Sequence, residues 1–148
     1  MGDLSYSFFM PWNFPTFRTV NPFEMKEFLM ISGAAYGALA VVFGAFGAHA
    51  LKKILPEDLL RSFETGVKYQ MYHALALLLL GSSFEMDSSL ERMAGWCFLM
   101  GTFLFSFSIY GLCLSSAKGR KLRFLGPVTP LGGLLLVLGW VFLLCSLF

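Results

Sequence analysis

The chain has 148 residues, of which 57% are hydrophobic and only 14% are charged. Soluble domains carry about 25% charged residues, and a small fold leaves much of its surface in contact with water. The composition therefore excludes an ordinary soluble globular protein and a disordered chain. The net charge of +2, with no stripe of Lys and Arg between aromatic residues, excludes a basic nucleic-acid-binding protein.

Residues 1–26 form an aromatic, proline-containing segment ahead of the first apolar stretch. Its large aromatic residues are Phe8, Phe9, Trp12, Phe14, Phe17 and Phe23. Such rings favour the headgroup layer of a bilayer, so this segment is expected to be an interfacial N-terminal arm. The alternative is an arm that docks onto other membrane-protein subunits. A signal peptide is not expected, because the segment lacks a basic start.

Long apolar stretches follow one another through the rest of the chain. They lie at about residues 28–51, 67–84, 94–117 and 125–147. A helix needs about 20 apolar residues to cross a bilayer, and only helices or closed barrels satisfy their backbone groups in lipid. The second stretch is short and reaches this length only if Lys68 extends its ammonium to the interface. Residues 27–148 are therefore predicted to form an all-α integral membrane protein, a four-transmembrane-helix bundle.

The segment 56–68, between the first two spans, is amphipathic. Two acidic residues follow Pro56, as is typical of the first turn of a helix. This helix either continues straight into the second span or lies along the membrane surface and turns near Gly66. The amphipathic interfacial helix is favoured, because it keeps Arg61 and Glu64 out of lipid.

Basic residues are distributed unequally between the two sides of such a bundle. The first and third loops carry eight of them, Lys52, Lys53, Arg61, Lys68, Lys118, Arg120, Lys121 and Arg123. The other side carries three, Arg18, Lys26 and Arg92. The positive-inside rule therefore predicts that both basic loops face the cytoplasm or matrix and that both termini lie on the opposite side.

Small residues recur in the first and fourth spans, where they are expected to let helices approach closely inside the bundle. They are Gly33, Gly37, Gly44 and Ala48 in the first span and Gly132 and Gly133 in the fourth. The fourth span is predicted to start at Pro130, with Thr129 as its N-terminal cap. A deeper break in the backbone at this Pro/Gly cluster, lining a small site, is the alternative.

Polar residues mark the third span and the two histidines. Thr102, Ser106, Tyr110 and Cys113 recur at steps of four, four and three, which predicts one inward-facing row. The candidate ligand-binding residues are His49, His73, Gln70, Tyr69, Thr102 and Ser106. Either they bind a small ligand such as a quinone, a lipid or haem, or each imidazole hydrogen-bonds a neighbouring carbonyl, Gln70 or Tyr69 and helps to fix the bundle.

Reactive chemistry is not predicted. Two histidines without a Cys or carboxylate partner give no metal site, and no catalytic set or phosphate-binding loop is recognisable, so the chain is not expected to be an enzyme or to need a cofactor. The three cysteines lie within spans and are expected to be free thiols. A disulfide between Cys97 and Cys145 is the alternative, since both fall near the outer ends of their spans.

Four segments resemble a known family of small membrane proteins. They are GAFGAHAL at 44–51, TGVKYQMYHALA at 65–76, GTFLFS at 101–106 with Ser108 and Tyr110, and TPLGG at 129–133 with Gly139-Trp140. In this combination and order they resemble the domain-of-unknown-function 423 family, which includes the transmembrane protein 256 and YgdD-like proteins. The resemblance covers residues 28–147, and residues 1–26 depart from it.

The resemblance implies a four-helix integral membrane protein but brings no established activity and no catalytic residue. It suggests the bacterial inner (plasma) membrane, with the mitochondrial inner membrane as the alternative. Together with the packing glycines and the aromatic arm, it makes a structural or accessory subunit of a membrane complex the leading expectation. The alternative is a small-ligand binding or transport protein that uses His49 and His73.

Overall fold

The computed structural model describes residues 21–119 and 122–148, and these residues form helices and short connections. The helices are α1 (Pro22–His49), α2 (Glu57–Ser83), α3 (Ser89–Thr102), α4 (Ser108–Ala117) and α5 (Val128–Cys145). A π-helical stretch, Phe103–Phe107, joins α3 to α4, so the two form one rod of 29 residues, the α3–α4 rod. The all-α fold predicted from the sequence is confirmed. Residues 1–20, which hold most of the predicted aromatic arm, lie outside the described ranges.

Helix α1 begins at Pro22, inside the segment that the sequence assigned to the arm. Asn21 caps it, because the side-chain oxygen of Asn21 accepts a hydrogen bond from the backbone N–H of Phe23 at 3.2 Å. Proline is well suited to this first helical position, where no N–H is required. Met25 is already fully buried one turn later. The boundary at residue 26 is therefore too late, and the bundle starts with the Asn-Pro pair.

Helix α2 is continuous from Glu57 to Ser83, so the predicted separate interfacial helix that turns near Gly66 is wrong. Gly66 is buried against the α3–α4 rod: a Cβ atom added there would lie 2.8 Å from Cε1 of Tyr110. The hydroxyl of Ser106 also donates a hydrogen bond to the carbonyl of Gly66 at 2.8 Å. The glycine thus permits a close helix contact rather than a bend.

Helix α5 starts at Val128, two residues before the predicted start, and Thr129 is not its cap. The Oγ1 atom of Thr129 instead lies 2.7 Å from Oγ of Ser108 in α4. Pro130 is tolerated inside this first turn because the first four N–H groups of a helix have no intrahelical partner. The alternative of a deep backbone break is also wrong, since α5 is uninterrupted to Cys145.

Two antiparallel pairs make up the bundle: α1 packs along α2, and α5 packs along the α3–α4 rod. Their ends define two poles. We call the pole that carries the α1–α2 and α4–α5 connections the basic end; its described basic residues are Lys52, Lys53, Arg61, Lys68, Lys118 and Arg123. At the opposite end, Lys26 forms an ion pair with Glu85 at 3.0 Å. The α2–α3 connection lies there as well.

Three helical segments of the described chain are apolar and long enough to cross a membrane: Pro22–Lys53, Ser89–Ala117 and Arg123–Cys145. Their mean hydropathies are 1.9, 1.9 and 2.2. Helix α2 falls short of this standard because it combines charged residues in its first three turns with a buried amide and imidazole further along. Length and composition thus mark three spans.

Candidate functional site

Gln70 is the central residue of a buried polar network that joins the helices. Its side chain is fully buried. The amide Nε2 donates to the backbone carbonyl of Tyr36 at 2.9 Å, and Oε1 accepts from the hydroxyl of Tyr110 at 2.8 Å. The two partners fix the orientation of the amide, because a carbonyl can only accept. Gln70 therefore ties α2 to α1 on one side and to α4 on the other.

Hydroxyl groups of Tyr36, Ser106 and Ser108 add further bonds between helices. The hydroxyl of Tyr36 donates to the carbonyl of Leu99 in α3 at 3.1 Å, which connects α1 to the rod. Ser106, in the π-helical stretch, donates to Gly66 in α2 as described above, while Ser108 meets Thr129 in α5. Within five residues the rod thus bonds to two different helices. A π-helical turn offers such a change of side-chain direction in an otherwise regular helix.

His73 uses both of its ring nitrogens within the protein. Its Nδ1 lies 2.8 Å from the carbonyl of Tyr69, and its Nε2 lies 3.3 Å from the indole nitrogen of Trp140. A carbonyl can only accept and an indole N–H can only donate, so Nδ1 carries the proton and Nε2 is the acceptor. The imidazole is therefore neutral in this arrangement and bridges α2 to α5.

The predicted polar row on the third span faces inward, as its spacing indicates. Thr102 and Ser106 are fully buried, and Tyr110 and Cys113 are 5% and 2% exposed. Thr102 donates to the carbonyl of Phe98 at 2.6 Å, and the thiol of Cys113 to that of Leu59 at 3.3 Å. Each of these groups has a partner. Ser106, Tyr110 and Cys113 bond to α2 and so hold two helices together, whereas the Thr102 bond lies within α3.

The two histidines do not form one site. His49 is exposed at the last turn of α1, whereas His73 is buried. Antiparallel packing places Ala74 opposite Gly37, since a Cβ atom on that glycine would lie 3.8 Å from the Cβ of Ala74. From Gly37 to His49 the helix rises about 18 Å, at 1.5 Å per residue. A ligand held jointly by both imidazoles, as a bis-histidine haem would be, does not fit this geometry.

Other predicted residues are placed as follows. Tyr69 is partly exposed, and its ring packs in a tilted arrangement against Phe105, with ring centroids 4.8 Å apart. Among the predicted packing residues, Gly33 contacts α2 most closely: a Cβ atom on it would lie 2.9 Å from the carbonyl oxygen of Ala74. Ala48 is exposed.

Gly132 is packed against the π-helical stretch, and a Cβ atom there would clash with the backbone nitrogen of Phe105. Gly44 and Gly133 have room for a Cβ atom, at 3.5 Å from Val67 and 3.7 Å from the ring of Phe105. The close approach of α5 to the rod thus depends on the first glycine of the 132–133 pair.

Cys97, Cys113 and Cys145 are free thiols. Cys97 lies level with Gly139, because a Cβ atom on that glycine would be 3.3 Å from the Cβ of Cys97. Cys145 is about 9 Å further along α5 at 1.5 Å per residue, so the matched depths assumed for a disulfide are wrong. In residues 21–119 and 122–148, no group of three His, Cys, Asp or Glu side chains could hold a metal ion.

Tyr36 and Trp140 are two network residues that sequence reasoning did not select. Each lies in an apolar span, where an aromatic residue is equally consistent with a lipid-facing position. The sequence signal for Tyr36 was its place between Gly33 and Gly37, which brings its helix face against α2. Trp140 belongs to one of the segments that resemble the family. Its partner His73 is 67 residues away in the chain, so the sequence did not indicate their contact.

A groove at the basic end lies between α2, α4 and the start of α5. Its volume is about 440 Å³. Four hydroxyl-bearing residues line it, Ser62, Thr65, Ser116 and Thr129, together with apolar residues that include Leu59, Ile109 and Leu112. We call it the hydroxyl groove. The backbones of α2 and α5 are well separated, with no Cα atom of one within 8 Å of a Cα atom of the other, which leaves room for this groove. Their side chains meet further along, at His73 and Trp140.

Three long apolar helical segments with largely apolar exposed faces, packed around hydrogen-bonded polar side chains, define a class: helical membrane proteins. Comparison with known proteins agrees. The profile of the family described as "Protein of unknown function (DUF423)" matches residues 43–133. The chain is 40% identical over 124 residues to a UPF0382 membrane protein of Staphylococcus haemolyticus, covering 84% of this chain and 97% of that protein.

Similar relatives occur in other organisms. The chain is 38% identical over 124 residues to the UPF0382 membrane protein YwdK of Bacillus subtilis, covering 82% of this chain and 96% of the relative. A UPF0382 membrane protein of Schizosaccharomyces pombe is 42% identical over 113 residues, covering 75% and 93% of the two chains. The chain therefore belongs to the DUF423, or UPF0382, family of membrane proteins. No solved structure matches it.

Proposed function

We propose that this protein crosses a bilayer four times and serves as a packing module, a structural or accessory subunit of a membrane complex. One observation carries the proposal: the polar interior is closed. In the described ranges, the one buried side-chain nitrogen or oxygen without a hydrogen-bond partner is Oε2 of Glu91, at the opposite end from the hydroxyl groove. A bundle whose buried polar groups bind one another is built to hold a shape, and the proposal assigns it no chemical reaction.

In this proposal the two ends of helix α5 mark where the membrane surfaces lie on the bundle. Its 18 residues correspond to about 27 Å, close to the hydrocarbon core of about 30 Å. Thr129, at its start, pairs with Ser108, and Gly66 packs beside Tyr110 one half-turn further along the rod. Lys68 is therefore level with the membrane surface on the basic side.

The depth of Lys68 supports α2 as a membrane span, in addition to the three marked by length and composition. Arg61 and Glu64 precede Lys68 by about two turns and one turn, so they project beyond the hydrocarbon together with the ends of α1 and α4. The residues that remain at lipid depth, from Tyr69 to Ser83, carry no formal charge. They are few for a span, and Lys68 at the boundary reaches the headgroups with its flexible stem.

Labelling of single cysteines tests the four-span topology. In a Cys97→Ser/Cys113→Ala/Cys145→Ser background, Ser83→Cys reports the opposite end and Lys53→Cys the basic end; both positions are exposed. We expect a membrane-impermeant maleimide to label Ser83→Cys on intact cells, and Lys53→Cys only after permeabilisation. Labelling of both positions from outside would contradict an even number of spans with the basic end inside.

The N-terminal arm is proposed to attach the bundle to its partner subunits. Its deletion should end at Val20, because Asn21 caps α1 and Met25 belongs to the buried core. We expect the shortened protein to keep its helix content and unfolding temperature while losing co-migration with partner proteins in mild detergent. Unchanged co-migration would contradict the docking arm.

The proposed location is the bacterial plasma membrane, with the mitochondrial inner membrane as the alternative. Relatives named membrane proteins come from bacteria and from a yeast, so both locations remain within the proposal. In either membrane the basic end would face the cytoplasm or matrix.

A further inference from the structure

We propose that the hydroxyl groove binds an anionic phospholipid whose headgroup carries free hydroxyl groups. The proposal rests on the bilayer orientation given above, which puts the groove at headgroup depth: Thr129 lies at the start of α5, and Ser62 and Thr65 lie beyond Lys68. A volume of about 440 Å³ falls within the usual range for ligand sites, about 300 to 1,000 Å³.

Two hydroxyl groups on the α2 wall of the groove are prepared to accept hydrogen bonds. Ser62 donates its proton to the carbonyl of Asp58 at 2.9 Å, and Thr65 donates to the carbonyl of Arg61 at 3.0 Å. Each oxygen keeps free lone pairs toward the groove. A headgroup with hydroxyl donors, such as glycerol, can use these acceptors, whereas the trimethylammonium of a choline headgroup has no proton to donate.

Charge favours an anionic lipid. The described residues of the basic end include six basic and three acidic side chains, the latter Glu57, Asp58 and Glu64. Arg61 precedes Ser62 on the α2 wall, and Arg123 lies one short turn before Gly126 on the α5 wall. Arg61 also pairs with Glu57, but both side chains are more than three-quarters exposed, so this pair is weak and leaves the guanidinium available.

The seam between α2 and α5 offers a path for an acyl chain. From the groove it continues past the rings of Tyr69 and Phe105, which pack at an interplanar angle of 39°. It ends where the indole of Trp140 reaches across to His73. The floor of the seam is the rod, and its open side faces the bilayer in the proposed orientation. A phospholipid would thus place its polar part among the hydroxyls and one chain along the seam, against the exposed rings of Tyr69 and Trp140.

Native mass spectrometry of the full chain tests the preference. The protein is released from micelles that contain equal amounts of dioleoylphosphatidylglycerol and dioleoylphosphatidylcholine. We expect retention of phosphatidylglycerol to exceed that of phosphatidylcholine by about fivefold or more, since each nearby basic residue favours an anionic lipid by about this factor. Equal retention of the two lipids would overturn the proposal.

Filling the groove tests the site. Ser62→Phe/Thr65→Phe replaces two exposed residues and should reduce phosphatidylglycerol retention to the level of phosphatidylcholine. Ser83→Phe, an exposed serine at the other end of α2, is the matched control and should leave retention unchanged. Undiminished retention in the double variant would assign the lipid to another surface and overturn the site.

Fluorescence quenching provides a measurement that needs no groove variant. In a Trp12→Phe/Trp96→Phe protein, Trp140 is the remaining tryptophan. We expect phosphatidylglycerol with brominated acyl chains to quench it more strongly than brominated phosphatidylcholine at equal bromine content. Equal quenching would contradict a chain lying in the seam. If cysteine labelling upholds the topology while these lipid tests fail, the groove proposal alone is wrong.

Discussion

The hydroxyl of Tyr110 donates a 2.8 Å hydrogen bond to Oε1 of Gln70, and both side chains are buried between three helices. The other end of the amide is occupied by the carbonyl of Tyr36. In lipid the hydrophobic effect does not hold helices together, so packing and such bonds do. A change in either side chain is therefore expected to lower the stability of the bundle.

We expect Gln70→Leu to lower the free energy of unfolding by about 1 to 2 kcal/mol, because two interhelical hydrogen bonds are lost. Tyr110→Phe should cost about half as much, since it removes only the shared bond. Unfolding in sodium dodecyl sulfate, followed by circular dichroism, measures both. The double variant should lose less stability than the two single variants added together, because they share one hydrogen bond. The control is Tyr72→Phe, which changes an exposed tyrosine of α2 and should have no effect.

Neighbouring glycines of α5 should respond differently to the same substitution. Gly132→Ala introduces a methyl group into the backbone of the π-helical stretch and should destabilise the protein by about 1 to 3 kcal/mol. Gly133→Ala meets only ordinary contact with the ring of Phe105 and should be neutral or slightly stabilising. Thermal unfolding in detergent compares the two. An equal loss of stability would mean that α5 does not pack on the rod through residue 132.

Haem should not bind through the two histidines. Hemin added to the purified protein is expected to give no low-spin bis-histidine spectrum, because the rings lie far apart along the helix axes and Nε2 of His73 already accepts from Trp140. Absorption in the Soret region is the measurement. A low-spin band that disappears in both His49→Ala and His73→Ala would contradict the observed separation.

The three thiols should react with maleimide in order of their exposure. Cys145 is exposed, Cys97 is partly buried and Cys113 is buried, so the rate should fall in that order in detergent. Mass spectrometry of the labelled protein resolves the sites. Under mild oxidation we expect no bond between Cys97 and Cys145, since Cys97 in α3 lies level with Gly139, about 9 Å from Cys145 along the axis of α5.

Local properties of the chain determined the class of protein and most of its helices. The number of consecutive apolar residues in each stretch can be counted directly from the sequence. That number alone indicates that lipid, rather than water, surrounds the segment. The row Thr102 to Cys113 was likewise placed correctly, because helical spacing alone puts its members on one face. Family membership followed from short segments that keep their order.

Tertiary structure decided what each polar residue does. Gly66 was read as a bend, yet it is the point where the ring of Tyr110 approaches α2, and nothing in the local sequence distinguishes the two uses. His49 and His73 resemble a pair in sequence, but the antiparallel register of α1 and α2 separates them. Both partners of Gln70, and the Trp140 partner of His73, lie 34 to 67 residues away in the chain. Such contacts depend on how rigid helices are set against one another, and that arrangement is a property of the whole bundle.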